Sequence, residues 1–148
     1  MRSKLLHTSP GGERTLVAIL DTGDEVMASL KDLAAREKLD GAQLSAIGAF
    51  RKAVISYFDW ETKKYLENPV REQVEVASML GDIATDEAGN PSLHVHLVLG
   101  RKDGSALAGH LVEGHVRPTL EIVVTETPWH LRRLEDRETG LDLIRLDG

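Results

Sequence analysis

The sequence predicts a single α+β domain in which a largely antiparallel sheet is accompanied by one principal helix. Its 148 residues are the usual length of one domain, and no repeat or Pro/Ser-rich linker divides them. One helical segment follows an early apolar run, and the remainder consists of short strand-like runs separated by turn residues. A doubly wound fold would need more helices between its strands, so this order favours the α+β class.

The chain begins with a polar stretch followed by an apolar run. Residues 1–13 are rich in polar residues and glycine, and we expect them to form a short mobile arm in front of one domain at 14–148. The run TLVAIL at 15–20 is continuous, apolar and of strand length, so it predicts the first strand of the domain.

A helix is predicted directly after this strand. Thr22 and Glu25 have the spacing of a capping box, in which each side chain accepts from an orphan N–H of the first turn. Asp40 and Gly41 supply a C-terminal stop. The apolar residues between these signals fall on one helical face. They are Val26, Met27, Leu30, Leu33 and Ala34.

From residue 42 onward the pattern is typical of strands. The predicted strands are AQLSAIGAF, AVISYFDW, the segment around EQVEVASMLGDI, LHVHLVLG, SALAGHLV and TLEIVVTE, followed by a hairpin across Asp136 to Gly140. Two glycines interrupt apolar runs, Gly48 in AIGAF and Gly81 in MLGDI. We interpret them as bulges or points of close backbone packing.

Composition excludes several kinds of chemistry. The chain has no cysteine, which rules out disulfides, thiolate zinc sites and a cysteine nucleophile, and fits a reducing cytosol. The N-terminus lacks the apolar core of a signal peptide, and no window approaches the roughly 20 apolar residues of a membrane helix. We therefore expect a cytoplasmic protein with no membrane partner.

The overall charge opposes binding to nucleic acid. The formal net charge is −6, so contact with DNA would require a local basic patch or tail. The basic residues occur instead as isolated pairs that we interpret as solvated charges. These pairs are Arg51-Lys52, Lys63-Lys64, Arg101-Lys102 and Arg132-Arg133.

Histidines are concentrated in SLHVHLVLGRKDGSALAGHLVEGH, residues 92–115, which holds four of the six in the chain. Side chains two apart on a strand share a face, so His94 and His96 lie opposite the leucines of LHVHLVLG. Two strand rises of about 3.3 Å put their Cα atoms about 6.6 Å apart, close enough for both rings to reach one metal ion.

The turn in RKDGS decides whether His110 can join them. A two-residue Asp103-Gly104 loop would pair Leu97 with His110 and place that histidine on the leucine face. A three-residue loop at 102–104, with glycine in the left-handed position, pairs His96 with His110 and Leu97 with Gly109. Leucines then face leucines and the three imidazoles share a face, so we predict this register.

Three neutral imidazoles with open coordination positions are typical of a catalytic metal site. Zinc matches them best, although nickel, iron, manganese and copper also bind imidazole. His115 is a candidate fourth ligand, but its parity matches Leu111 and Gly114 interrupts the strand before it. The alternative is that the histidines are incidental residues of a sheet. Weak candidates for a ligand, supporting group or general base are Glu113, Arg117 and Glu121, whereas His7 and His130 are expected at the surface.

Several segments in a fixed order carry a family resemblance. They are GDEVMASLKDLAAREKLDGAQLSAIGAF, FDWETKKY, EVASMLGDI, LHVHLVLGRKDGSALAGHLVEGHV, LEIVVTE and RRLEDRETGLDLI. Together, from about Thr15 to Ile144, they resemble the plants-and-prokaryotes conserved (PPC) domain family. Prokaryotic members resemble this chain in carrying H-x-H on one strand and G-H on the next, here His94, His96 and Gly109-His110.

The resemblance implies a mixed, mainly antiparallel sheet, a homotrimer and a fold similar to acetolactate decarboxylase, which holds zinc with three histidines. Plant members carry the domain behind AT-hooks, which explains the label "putative DNA-binding protein" for stand-alone members; this chain has no R-G-R-P hook. Three functions remain open. The first is a trimer with a three-histidine metal site; if this protein is an enzyme, it would be a lyase or hydrolase that acts on a small carbonyl or carboxylate compound. The second is a DNA-associated or protein-binding module. The third is a purely structural assembly.

Overall fold

The computed structural model describes residues 1–146, which form one helix and nine strands. The elements are β1 (Arg2–Thr8), β2 (Arg14–Asp21), α1 (Val26–Glu37), β3 (Ala42–Asp59), β4 (Lys64–Val70), β5 (Val74–Thr85), β6 (Pro91–Gly100), β7 (Ala106–Glu126), β8 (Arg132–Glu135) and β9 (Asp142–Arg145). This confirms the predicted α+β class with one principal helix. No helix in these residues has the length and apolarity needed to cross a membrane.

The nine strands form one curled, mixed sheet. The strand order is β1-β2-β7-β3-β5-β8-β9, with β4 added to β3 and with β6 joining β5 to β7. The pairings β3 with β5, β5 with β6, β6 with β7 and β7 with β3 therefore close a ring. All of these pairs are antiparallel, and the one parallel contact within residues 1–146 joins Thr85 of β5 to Arg132 of β8. The sheet is mixed and mainly antiparallel, as expected.

The apolar core lies inside this ring and beneath α1, which packs against β6 and β7. Val95, Leu97 and Leu99 point inward from β6 and are at most 4 % exposed. Four of the five residues on the predicted helical face are buried, Val26 among them, and Met27 is partly buried. The other three buried residues are Leu30, Leu33 and Ala34. The side of β6 that carries His94 and His96 is consequently the outer side of the ring.

The ends of the helix differ from the prediction. Glu25 itself is the N-cap, and its carboxylate accepts from the backbone N–H groups of Met27 and Ala28 at 3.1 and 2.7 Å. Thr22 takes no part in the cap, because its hydroxyl donates to the Pro118 carbonyl at 3.2 Å. The helix ends at Lys38, which adopts the left-handed conformation with φ 54°, before the predicted stop at residues 40–41 is reached.

Two pairs of predicted strands are continuous in the structure, forming β3 and β7. The register of β3 shifts at Gly48, the expected bulge, where a Cβ atom would lie 2.3 Å from the Thr119 carbonyl oxygen. At Gly81 a Cβ atom would lie 2.5 Å from the His94 carbonyl oxygen. Both glycines therefore occupy points of close backbone approach, which confirms the interpretation drawn from the sequence.

Two strands carry no strand pattern in the sequence. Residues 2–8, predicted to belong to a mobile arm, instead form edge strand β1, which pairs with β2. All seven of its side chains are exposed, so no alternation of polar and apolar residues marks it. β4 is exposed at every position except Val70, for the same reason. The hairpin predicted across residues 136–140 is present as β8 and β9.

Candidate metal centre

The turn between β6 and β7 has the predicted three-residue form. The Arg101 N–H donates to the Ser105 carbonyl at 2.8 Å, and the Gly104 N–H donates to the Arg101 carbonyl at 2.9 Å. Gly104 has φ 82°, the left-handed conformation that glycine adopts without strain. Asp103 holds the loop by accepting from the Ser105 N–H and hydroxyl at 3.0 and 2.6 Å.

This turn brings the three histidines together on the outer face. His96 pairs with His110 and Leu97 with Gly109, as predicted. One ring nitrogen from each of His94, His96 and His110 lies within 4.8 Å of the other two. The Nε2 atoms of His94 and His96 are 3.0 Å apart. Two nitrogens at 2.0 to 2.1 Å from a tetrahedral zinc ion would lie about 3.3 Å apart, so the pair has nearly the spacing of two ligands.

The neighbouring strands fix the three histidine backbones. On β5, Asp82 lies opposite His94 and Leu80 lies opposite His96. On β3, Ser56 lies opposite His110. Gly109 allows this approach, because a Cβ atom there would lie 2.8 Å from the Ser56 carbonyl oxygen. The backbones of the three histidines thus belong to a fully paired part of the sheet, which limits their movement.

The environment keeps two of the imidazoles neutral at pH 7. Burial lowers the pKa of His94, and the positive charges of Arg133 and His96 lower it further. The pKa of His110 falls to about 4, first through burial and then through the charges of His94 and His96. Neutral imidazole is the form that binds a metal ion, so protons compete with an ion at these two rings mainly under acid conditions.

A cavity of about 260 Å³ opens beside the cluster. His94 and His110 line it on one side, and the C-terminal hairpin lines the other through residues 140–143. Tyr65 of β4 also lines it, with its ring centroid 5.2 Å from that of His110. The histidine cluster therefore borders a space that a small molecule can enter.

Arg133 also lines this cavity, and it corrects the sequence interpretation. It belongs to the Arg132-Arg133 pair, which is predicted to be solvated, yet its side chain is only 4 % exposed. Its guanidinium donates to Asp82 Oδ1 at 2.6 Å. The prediction is wrong because β8 contributes too short a run for its buried face to be recognised from alternation.

The other candidate residues lie outside the histidine cluster. Among residues 1–146, the group of potential ligands around His94 does not include His115, Glu113 or Glu121. His115 contacts Glu113, which also accepts from Lys52 Nζ at 3.3 Å. His115 is therefore engaged in a separate charged cluster. Further candidates are also at the surface, with Arg117, Glu121 and His7 exposed and His130 paired with Asp40.

Comparison with known proteins identifies the family of the chain. Residues 7–128 match the family pattern described as the Plants and Prokaryotes Conserved (PCC) domain. The chain belongs to this family. The resemblance drawn from the sequence, under the abbreviation PPC, is thereby confirmed. A search of proteins with curated functions finds no match.

Two solved structures are similar to this PCC-domain chain over most of its length. A metal-containing protein from Archaeoglobus fulgidus is 31% identical, covers 88% of this chain and 92% of its own, and superposes with a TM-score of 0.82. A "putative DNA-binding protein" from Ralstonia eutropha JMP134 is 30% identical, covers 97% and 96%, and also has a TM-score of 0.82.

The fold is also similar to that of an enzyme. Acetolactate decarboxylase from Bacillus subtilis subspecies spizizenii superposes with a TM-score of 0.55 over 75% of this chain and 52% of the enzyme. The identity is 12%, so this likeness concerns the fold alone.

Proposed function

We propose that the chain binds a divalent metal ion through His94, His96 and His110. The observation that carries the proposal is the convergence of three ring nitrogens within 4.8 Å on one face of a paired sheet. Imidazole nitrogens are ligands for zinc, and zinc sites with three protein ligands keep a fourth position open. Zinc is therefore the ion that we assign, and the metal content of the Archaeoglobus relative supports the same kind of site.

The residues present fit such an ion. His110 Nδ1 is buried and has no hydrogen-bond partner among residues 1–146. An unpaired buried polar atom costs about 1 to 3 kcal/mol, and coordination through that nitrogen would remove the cost. The Nε2 atoms of His94 and His96, 3.0 Å apart, would share a hydrogen bond if one of them carries a proton, and a divalent ion would take the place of that proton between them.

The cavity suggests what a bound ion would serve. When bound, a divalent ion with an open position supplies Lewis acidity toward a carbonyl or carboxylate oxygen, or lowers the pKa of bound water to about 7. The chain's own residues would orient a small ligand, with the ring of Tyr65 forming one wall and the hairpin at 140–143 another. The enzymatic alternative is thus a reaction of a small carbonyl or carboxylate compound at this ion.

Substitution of one ligand is expected to remove the ion. Protein purified without a tag should contain about one zinc per chain, and His96→Ala should contain almost none, because two imidazoles bind zinc far more weakly than three. Elemental analysis measures this directly. His130→Ala is the matched control, since His130 is 75 % exposed and pairs with Asp40 away from the cluster.

Either of two results would overturn the metal proposal. One is a parent protein that contains no stoichiometric metal and takes up none from an added zinc salt. The other is His96→Ala protein that holds as much metal as the parent. Loss of metal in His130→Ala as well would show that the measurement reports general damage to the protein.

We also propose that the functional unit is a homotrimer. Apolar side chains are exposed on the outer face of the sheet, and an exposed apolar patch of this kind marks an interaction surface. They are Ile47 and Leu80, each 61% exposed, Val98 at 37% and Val123 at 43%. A sedimentation-equilibrium mass of three chains, reduced by Leu80→Asp, is the expected result; a monomer at micromolar concentration would contradict it.

Duplex DNA is a second candidate ligand, favoured by the description of the Ralstonia structure. The net charge of −6 opposes it, because counterion release by many phosphate contacts must supply non-specific affinity. In two of the basic pairs, one arginine already forms a salt bridge within the chain. Arg101 pairs with Glu72, and Arg133 pairs with Asp82. A negligible gel shift at low salt would remove direct binding. We therefore place the metal site first.

A further inference from the structure

Arg133 is a buried charged residue that lines the cavity beside the histidines. Its side chain is 4 % exposed, yet it lines the same space as His94 and His110. Arginine is almost never this buried unless its charge is paired or used. The inference that Arg133 and the metal ion bind one ligand together rests on the proposed function of the histidine site.

The hydrogen bonds of Arg133 leave donors available. Within residues 1–146, its guanidinium donates to Asp82 Oδ1 at 2.6 Å and to the Ser92 carbonyl at 3.4 Å. A guanidinium carries five N–H groups, and those two contacts use one each. Three N–H groups thus remain on a side chain that is almost excluded from water, and a ligand in the cavity can accept from them.

The charges around the cavity favour an anion. Three neutral imidazoles with a divalent ion carry +2, Arg133 adds +1 and Asp82 subtracts 1, which leaves +2; the exposed Asp142 at the rim reduces this to +1. A ligand with one negative charge neutralises the net charge of the cavity. A phosphate dianion carries more negative charge than is needed and would be repelled by the two aspartates.

We propose that Arg133 binds the carboxylate of a small organic acid whose carbonyl or hydroxyl oxygen lies at the metal ion. The planar fork of a guanidinium matches a carboxylate with two parallel hydrogen bonds. A cavity of about 260 Å³ suits an acid of a few carbon atoms, since the pockets that bind drug-sized ligands measure about 300 to 1,000 Å³. Arg133 is in this sense a specificity residue of the site.

Pyruvate and its neutral amide, pyruvamide, test this assignment. Both present a carbonyl oxygen to a zinc ion, but only pyruvate presents a carboxylate to Arg133. Calorimetric titration of the zinc-loaded protein should show at least about tenfold tighter binding of pyruvate, because a hydrogen bond between two charged groups is stronger than one between a guanidinium and a neutral amide. In zinc-loaded Arg133→Met this preference should disappear.

A second variant changes the affinity in the opposite direction and leaves Arg133 in place. Asp82→Asn removes the charge that competes for the guanidinium, so it should tighten pyruvate binding severalfold and leave pyruvamide binding unchanged. The Asp82→Asn variant tests the role of Arg133 even if Arg133→Met does not fold. Arg133→Lys should keep part of the preference, since it keeps the charge without the fork.

The outcomes separate this inference from the metal proposal. Elemental analysis of each preparation reports the ion independently of pyruvate. If all variants hold zinc, and neither Arg133→Met nor Asp82→Asn changes the preference for pyruvate over pyruvamide, Arg133 is only a structural partner of Asp82 and the inference is wrong. If the parent holds no zinc, the proposed function itself has failed.

Discussion

Replacement of Gly48 by alanine is expected to lower the free energy of unfolding by about 3 kcal/mol or more, the upper range for overpacking a core. An added Cβ atom would lie 2.3 Å from the Thr119 carbonyl oxygen and 2.8 Å from the Leu120 Cα atom. Both contacts are with backbone, so no side-chain rotation relieves them. β3 and β7 must separate at the bulge, where they pair through Gly48 and Leu120.

Gly100→Ala is the matched control for this prediction. It is also a strand glycine, but its added Cβ atom would meet Glu75 Cβ at 3.7 Å, an ordinary contact. Since glycine loses more conformational entropy on folding than alanine, this variant should be as stable as the parent or slightly more stable. Urea unfolding followed by circular dichroism measures both. Equal stability of the Gly48→Ala and Gly100→Ala variants would show that the bulge yields easily.

The geometry that local rules govern is predictable from the sequence. Strand parity places His94 and His96 on one face, and the turn at residues 102–104 determines where His110 lies relative to them. Both steps depend on contacts between residues close in the chain, for which turn chemistry and alternation give direct rules. The histidine constellation can therefore be derived from the sequence alone.

The remainder of the site cannot be derived in this way. Tyr65, Asp82 and Arg133 come from three strands distant in sequence, and no spacing rule relates β4, β5 and β8 to the histidine hairpin. The sequence predicts a solvated charge at Arg133, whereas its burial arises from the curling of the sheet, which brings the C-terminal hairpin over the cavity. Such long-range placement leaves no periodic signal in the chain.

The helix caps show a different kind of failure. Thr22 and Glu25 satisfy the capping pattern, but the chain uses only the carboxylate, because Glu25 also accepts from the Gly114 N–H at 3.1 Å. A tertiary contact with β7 thus accompanies the choice of Glu25 as the N-cap. Cap patterns indicate that a helix begins nearby, and the packing around it decides at which residue.

Moving one imidazole along β6 should separate the requirements of the fold from those of the metal site. In the exchange of His96→Leu with Leu97→His, the imidazole enters a position that is 4 % exposed. Burying it without a hydrogen-bond partner and losing the buried leucine should together lower the free energy of unfolding by about 3 to 5 kcal/mol. The bound metal should be lost as well.

The exchange of His96→Val with Val98→His is the matched control, since it moves the same ring by two residues and keeps it on the outer face. Both positions are exposed in the single chain, so this exchange should destabilise the protein far less than burial of the imidazole does, although Val98 lies in the apolar patch proposed for the trimer. The ring is displaced from His110, so the metal should still be lost. Urea unfolding and elemental analysis report the two properties separately.

Equal stability of the two exchanges would contradict the assignment of the buried face. Full metal content after the two-residue shift would mean that His96 is not a ligand. Loss of metal in both, with loss of stability in one, is the result expected if parity determines the fold and register determines the site.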